Sequence, residues 1–431
     1  MKTIRYRDKD FEKQLRKVTA PSSLFDRTIE ERTRAIVDAV GTRGDAALLE
    51  FTEKFDGAKL TAKSIALTEA ELAAANKNAG KKLRRAVAVS SRNVTFFAKQ
   101  SLRRNWSAKN AQGATVGEKF DPFQRVGIYI PGGTAPLVST CLMTITLAKV
   151  AGCKEIVVCT PCGADGKVNE AILYAAQKAG ATEIYRVGGA QAIAAMAHGT
   201  KTIGRVQKIY GPGNAYVVTA KRLLVGHVAI DLLPGPSELM VLADETANPA
   251  FAAADMLAQA EHGSGHERVW LVTTSAKLLN AVGKELEKQL PALSRSAFIQ
   301  RALKKSGWLV QVKSIKDGVS LVNQLAPEHC EVMTKDAAKV SKDIVTAGAI
   351  FLGVNSPTVL GDYLAGPSHT LPTGGAGASF PGLTADQFQR RTSVVRYDRT
   401  AVKKSIETVQ QFAAMEGLDA HGRSAEIRLD E

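Results

Sequence analysis

The chain has 431 residues, 45% hydrophobic and 23% charged, a length that outgrows one hydrophobic core and a composition ordinary for a globular protein, so two or more domains are expected. No run of roughly 18 apolar residues occurs, which excludes a bilayer-spanning helix. The net charge of +15 is spread along the sequence without a nucleic-acid-binding module or interleaved aromatics, so no nucleic-acid partner is expected.

The opening stretch, Met1 to Asp8, is polar and leads into no apolar region, so the expectation is a cytoplasmic protein without a secretory signal. Up to about residue 105 the sequence reads as helical. Thr28, with Glu31 three positions on, has a capping-box pattern, and apolar residues recur at helical spacing through Leu48-Leu49. Leu72 to Phe97 reads as a second long helix. Within it the dense basic patch Lys81-Lys82-Leu83-Arg84-Arg85 is read as a solvated helix face.

From Arg125 short β-rich runs alternate with helical ones: Val126–Ile130, a helix near Leu137–Ala151, Ile156–Val158, a helix near Asn169–Ala179, then Ile184–Val187. The alternation resumes with Leu239–Leu242, a helix from Pro249 to about His262, and Val269–Thr273. Such alternation implies parallel sheets with crossover helices. Two blocks, roughly 125–236 and 237–380, predict two related α/β units. After Gly382 a short helix, a strand at Val394–Tyr397 and a helix at about Ala401–Met415 form a tail too small for its own core, which should pack on something else. Five cysteines are too scattered for a disulfide framework, and Cys159-Thr160-Pro161-Cys162, without a second such pair or a nearby histidine, reads as a strand end.

Three glycine-rich strand ends stand out: Pro131-Gly132-Gly133-Thr134, Gly188-Gly189-Ala190-Gln191 and Gly211-Pro212-Gly213-Asn214. Ligands of parallel α/β sheets bind at the carboxyl ends of strands, where glycine admits close backbone approach. Three such turns in one block point to a cofactor cleft, although the ordinary GxGxxG fingerprint is absent. Further on, a polar constellation gathers Gln259 and His262 on one helix face, Glu328-His329, Asp362, Ser368-His369, and Glu416 with His421. Imidazole, carboxylate and amide oxygen suit a borderline cation such as zinc. The turn Gly263-Ser264-Gly265 separates His266 from that helix. Spacing alone supports an α/β enzyme with a possible metal site.

The runs VGIYIPGG, VGGAQAIAA, GPGNAYVVTAKR, DLLPGPSE, ADETANP, AQAEHG, LAPEH, LGDYLAGPSHTLPTGG, RTSVV and EGLDAH stand in the order and approximate spacing of histidinol dehydrogenases, as does Glu53-Lys54-Phe55-Asp56-Gly57. Over about residues 25–429 the chain therefore resembles that family. One departure is Gly377-Ala378-Ser379-Phe380, where the family usually carries Thr-Ala-Arg-Phe; the missing arginine bears on substrate identity.

The resemblance implies two Rossmann-like units with small helical N- and C-terminal segments in an intertwined homodimer. Residues 1–24 would form an N-terminal segment, 25–105 with 237–380 the domain carrying metal and catalytic residues, 106–236 the NAD-binding domain, and 381–431 a tail packed on the partner subunit. It implies oxidation of L-histidinol to L-histidine through L-histidinal, with two NAD+ and one zinc ion per subunit, as the final step of histidine biosynthesis. Glu328 and His329 would be the acid–base pair. Gln259, His262, Asp362 and, across the dimer, His421 would hold zinc. Ser237, His369 and Glu416, together with the zinc ligands and His329, would contact substrate, and Tyr129, Gln191 and Asn214 would contact NAD+. A relative oxidising another small polar alcohol, such as a sulfonated diol, would keep the same zinc and base.

Overall fold

A computed structural model describes residues 1–20, 26–132 and 136–430. Gly133 and Thr134 of the first glycine-rich turn therefore lie outside the described residues. Continuous runs of buried Val, Ile and Leu, such as Glu238–Ala243 with every residue buried, build parallel sheets covered on both faces. The five-stranded sheet runs Glu183–Tyr185, Glu155–Cys159, Arg125–Tyr129, Lys208–Tyr210, Ala229–Ile230, all neighbours parallel. In order of appearance this is third, second, first, fourth, fifth, the doubly wound order. The six-stranded sheet repeats it: Gly307–Gln311, Arg268–Thr273, Glu238–Ala243, His329–Met333, Ala349–Leu352, with Lys2–Arg5 added at the outer edge. The expected pair of related units is present.

Helix starts follow local chemistry. Asn169, Asn214 and Asn248 each cap a helix by accepting from backbone N–H groups, and Pro249 occupies the first turn of Pro249–Ala260. The helix assigned to a Thr28 cap is instead capped by Asp26, whose side chain accepts from the Ile29 N–H at 3.0 Å, so Thr28 sits inside the first turn. Gly44, at φ +56°, then separates Arg27–Arg43 from Asp45–Asp56. The expected helix Leu72–Phe97 is two, Glu69–Asn78 and Lys81–Gln100, broken at Ala79-Gly80; the lysines and arginines at its start are exposed.

Three expectations about packing are corrected. The helices of residues 27–100 do not join the 237–380 unit. Ile36, Val37, Val40, Leu48 and Phe51 share a core with Tyr129, Val157 and Ile193, and Val87 and Val94 pack with Val126, Ile128 and Ile145, so both apolar faces lie against the five-stranded sheet. The N-terminal segment is not only helical: Ile4 and Val18 are buried with Trp270, Trp308 and Val310, and Lys2–Arg5 pairs with Trp308–Gln311. The tail, expected on a partner, begins on its own chain. Leu383, Ala385 and Phe388 enter the core of the five-stranded unit, and the strand Gln389–Arg396 pairs antiparallel with Thr115–Pro122, which also pairs with Trp106–Lys109. The helices Arg399–Glu416 and Asp419–Glu426 pack on each other and leave Phe412, Met415, Leu418 and Ile427 exposed. Among the described residues no helix is long and apolar enough to cross a membrane.

Candidate active site

At the carboxyl edge of the five-stranded sheet the described parts of the three glycine-rich turns converge on Tyr129, the last residue of the central strand. The Gly189 N–H donates to the Tyr129 hydroxyl at 3.1 Å. Gly211 lies against the Tyr129 carbonyl at φ +109°, and a Cβ there would collide with that oxygen, so only glycine fits. Cβ atoms built at Gly132 and Gly188 would both press on Pro161, 3.3 and 2.6 Å from its nearest atoms. The Gly211 peptide is gripped on both sides: Asp231 Oδ2 accepts its N–H at 2.8 Å, Lys221 Nζ donates to its carbonyl at 3.0 Å, and Lys221 and Asp231, both fully buried side chains, pair with each other. Gln191 is buried in the first turn of Gly189–His198. Asn214 is exposed, and its Oδ1 is engaged in capping Ala215–Leu223, accepting from Tyr216 and Val217.

Glu328 and His329 sit at the opposite kind of edge, the amino end of the six-stranded sheet, where the fourth strand starts beside the first. One residue organises them. The Glu238 N–H donates to Glu328 Oε2 at 2.8 Å, and the Glu238 carbonyl accepts from His329 Nδ1 at 3.0 Å. That bond places the imidazole proton on Nδ1 and leaves Nε2 as a base, 3.8 Å from Asp362 Oδ1. Burial holds the His329 imidazole below its usual range, with Asp362 opposing. Burial raises the Glu328 carboxyl well above the carboxylate range, although the Glu238 N–H and Ser237 hydroxyl favour its charged form. Glu238, 1% exposed, is itself pushed by burial up to about 7, against the pull of Arg268. Its Oε1 lies 3.3 Å from Arg268, and its Oε2 accepts from the Gly374 N–H at 3.1 Å. Sequence reading missed Glu238; its place directly after Ser237 in the DLLPGPSE run was the available signal.

His369 joins the two edges. Its Nε2 lies 3.2 Å from Ser139 Oγ, at the start of the helix Val138–Ala151 that follows the central strand of the five-stranded sheet. Burial lowers its pKa, and the charges of Asp362 and His262 reach both His369 and His329. His369 thus ties the neighbourhood of the candidate catalytic pair to the start of the helix that follows the central strand of the five-stranded sheet.

Among the described residues no group of three or more His, Cys, Asp or Glu side chains comes together as a metal site. The chain by itself offers a smaller set. His262 Nδ1 donates to the Gln259 carbonyl at 3.0 Å, which frees Nε2, and Gln259 is buried with its Nε2 unpartnered. With Asp362, on the helix Thr358–Tyr363, these make an amide, an imidazole and a carboxylate, a donor set that fits zinc but lacks a fourth member. Glu416 and His421 are exposed on the tail helices, and this chain's fold does not bring them to the cluster. His266 is bonded to Lys305 at 2.9 Å, beyond the glycine turn. Cys159 is buried and Cys162 half-buried, both as free thiols raised by burial, as expected of a strand end. Ala378 and Ser379 are exposed.

The profile of the histidinol dehydrogenase family matches residues 20–429. A histidinol dehydrogenase of Geobacillus kaustophilus is 45% identical over 404 residues, covering 93% of this chain and 95% of that one. One of Bacteroides fragilis is 43% identical over 434 residues, covering 100% and 99%. The crystal structure of histidinol dehydrogenase from Elizabethkingia anophelis superposes with a TM-score of 0.94 at 34% identity, over 100% of this chain and 98% of that one. A profile match along nearly the full length and relatives this similar from end to end establish that the chain belongs to the histidinol dehydrogenase family.

Proposed function

We propose that this enzyme oxidises L-histidinol to L-histidine through L-histidinal with two NAD+, the closing step of histidine biosynthesis, in a cleft between its two units. The observation that carries this is Glu238, whose N–H and carbonyl hold Glu328 and His329 together. In the first oxidation His329 Nε2 takes the alcohol proton as hydride departs; burial keeps the imidazole neutral and so ready to accept. In the second, Glu328 takes a proton from the water that attacks the aldehyde carbon. Burial raises the Glu328 carboxyl, so it serves as base where the pH is high enough to ionise it, and there it is a stronger base than a carboxylate in water. Ser237 and Glu238 hold that carboxyl in place, and His369 contacts the substrate between the two edges.

NAD+, when bound against Tyr129, Gln191 and Asn214, supplies the hydride acceptor. Zinc held by Gln259, His262, Asp362 and His421 of the partner subunit would orient the substrate through its amine and imidazole. Two features support a shared site: the incomplete donor set of one chain, and the exposed apolar residues of the tail helices that carry His421. The domain division that follows assigns residues 27–236 to the cofactor unit, and residues 1–20 with 237–365 to the catalytic one. Steady-state NADH formation with L-histidinol, set against a sulfonated diol at equal concentration, tests the substrate. Preference for the diol would reject histidinol and keep the dehydrogenase.

A further inference from the structure

One acid near the carboxyl edge of the five-stranded sheet is unused by the mechanism above. Asp56 is the last residue of the helix Asp45–Asp56. It is half-buried, and its Oδ2 is buried without a hydrogen-bond partner. Burial pushes its carboxyl from 3.8 up to about 6. Each feature is unfavourable for stability: a carboxylate at a helix C-terminus opposes the macrodipole, and a buried charged oxygen without a donor loses its solvation. An arrangement unfavourable on two counts calls for a functional reason.

Its surroundings supply one. After burial itself, the charge of Asp56 adds to the upward shift of both the Tyr129 phenol and the Cys162 thiol. A Cβ built on the adjacent Gly57 would touch Ala164 at 3.4 Å. Cys162 and Ala164 follow Glu155–Cys159, the second strand of the unit. In doubly wound dinucleotide-binding sheets, an acid near that strand end hydrogen-bonds the adenosine ribose. Here the strand ends Cys159-Thr160-Pro161-Cys162, with no acid. The next acid, Asp165, is exposed and already accepts from the Lys167 N–H at 3.0 Å.

We propose that Asp56, delivered from the N-terminal helices, takes the place of the missing strand-end acid, accepting hydrogen bonds from the adenosine ribose hydroxyls of NAD+ and rejecting the 2′-phosphate of NADP+. This rests on the reading of Tyr129, Gln191 and Asn214 as the cofactor site. It also gives the N-terminal helices a reason to pack on this unit and not on the catalytic one.

The test is Asp56→Asn in the full-length enzyme, with KM for NAD+, NADP+ and L-histidinol and the melting temperature measured together. The expected result is a rise of about tenfold in KM for NAD+ and a fall of at least that factor in the NAD+ over NADP+ preference. The histidinol KM should stay within about twofold, and the melting temperature should hold or rise, because an unpartnered buried charge is gone. Asp56→Ser repeats the test with a smaller side chain, in case the amide is crowded. An unchanged cofactor preference with a lowered melting temperature would make Asp56 merely structural and overturn the proposal. Gln191→Ala and Asn214→Ala separate the two levels. If these raise KM for NAD+ and Asp56→Asn does not, only the Asp56 assignment falls; if none of the three does, the cofactor site itself is misplaced.

Discussion

Lys221→Met isolates the buried pair beneath the Gly211 turn. The substitution keeps the length of the side chain and deletes its charge, leaving Asp231 fully buried with the Gly211 and Leu232 N–H groups but no ion-pair partner in contact, only the more distant charge of Lys208. Stripping one partner from a buried ion pair costs about 3–5 kcal/mol. The two remaining donors put the loss near the lower end, about 3 kcal/mol, and the lost bond from Lys221 to the Gly211 carbonyl adds about 1 kcal/mol. For a unit on the order of 200 residues, about 4 kcal/mol lowers the melting temperature by roughly 10 °C. Because the proposed cofactor site includes the Gly211 turn, KM for NAD+ should rise more than KM for L-histidinol. Calorimetry at pH 7 on Lys221→Met, Asp231→Leu and the double variant provides the assay. The double variant should recover most of the loss, since it removes the stranded charge along with its partner. A single-variant loss below about 1 kcal/mol, or a double variant worse than the two singles combined, would refute the reasoning.

Glu328→Gln should stop the reaction after the first oxidation, because an amide cannot take the water's proton; rapid-mixing measurements should show one NADH per site and a trapped aldehyde. In the wild-type enzyme burial raises the Glu328 carboxyl, and the aldehyde step needs it ionised, so the overall rate should fall as pH drops through a range above that of an ordinary carboxylate. A rate that holds level down into the ordinary carboxylate range would contradict this. Metal analysis should find about one zinc per chain, lost in His262→Asn and retained in His266→Asn, whose imidazole is bonded to Lys305. Mixing His421→Ala with His329→Ala, after unfolding and reassembly, should restore about a quarter of wild-type activity, since half the dimers under random pairing hold one intact site of two. No recovery, with mixed dimers confirmed by mass, would place His421 in its own chain's site.

The first unit was legible because its strands are buried on both faces and read as unbroken Val and Ile runs ended by glycine turns. The run Ile156–Val158 lies inside the strand Glu155–Cys159. The fourth strand of the catalytic unit was harder: His329-Cys330-Glu331-Val332-Met333 buries an imidazole and a carboxyl, which no hydrophobic pattern announces. Thr115–Pro122 escaped notice because Glu118, Lys119 and Asp121 interrupt its few apolar residues, Val116 and Phe120. Periodicity showed that the helices of residues 27–100 have apolar faces, but it cannot say which sheet they cover. At the site, the residue types with unusual chemistry were visible, and Glu238 was not, because it acts largely through its backbone N–H and carbonyl.

The most direct measurement is the number of NADH formed per L-histidinol consumed, with free aldehyde assayed in the same samples. If His329 serves the alcohol step and Glu328 the aldehyde step within one cleft, the count is two and no aldehyde accumulates. One NADH per histidinol with aldehyde released would contradict the account.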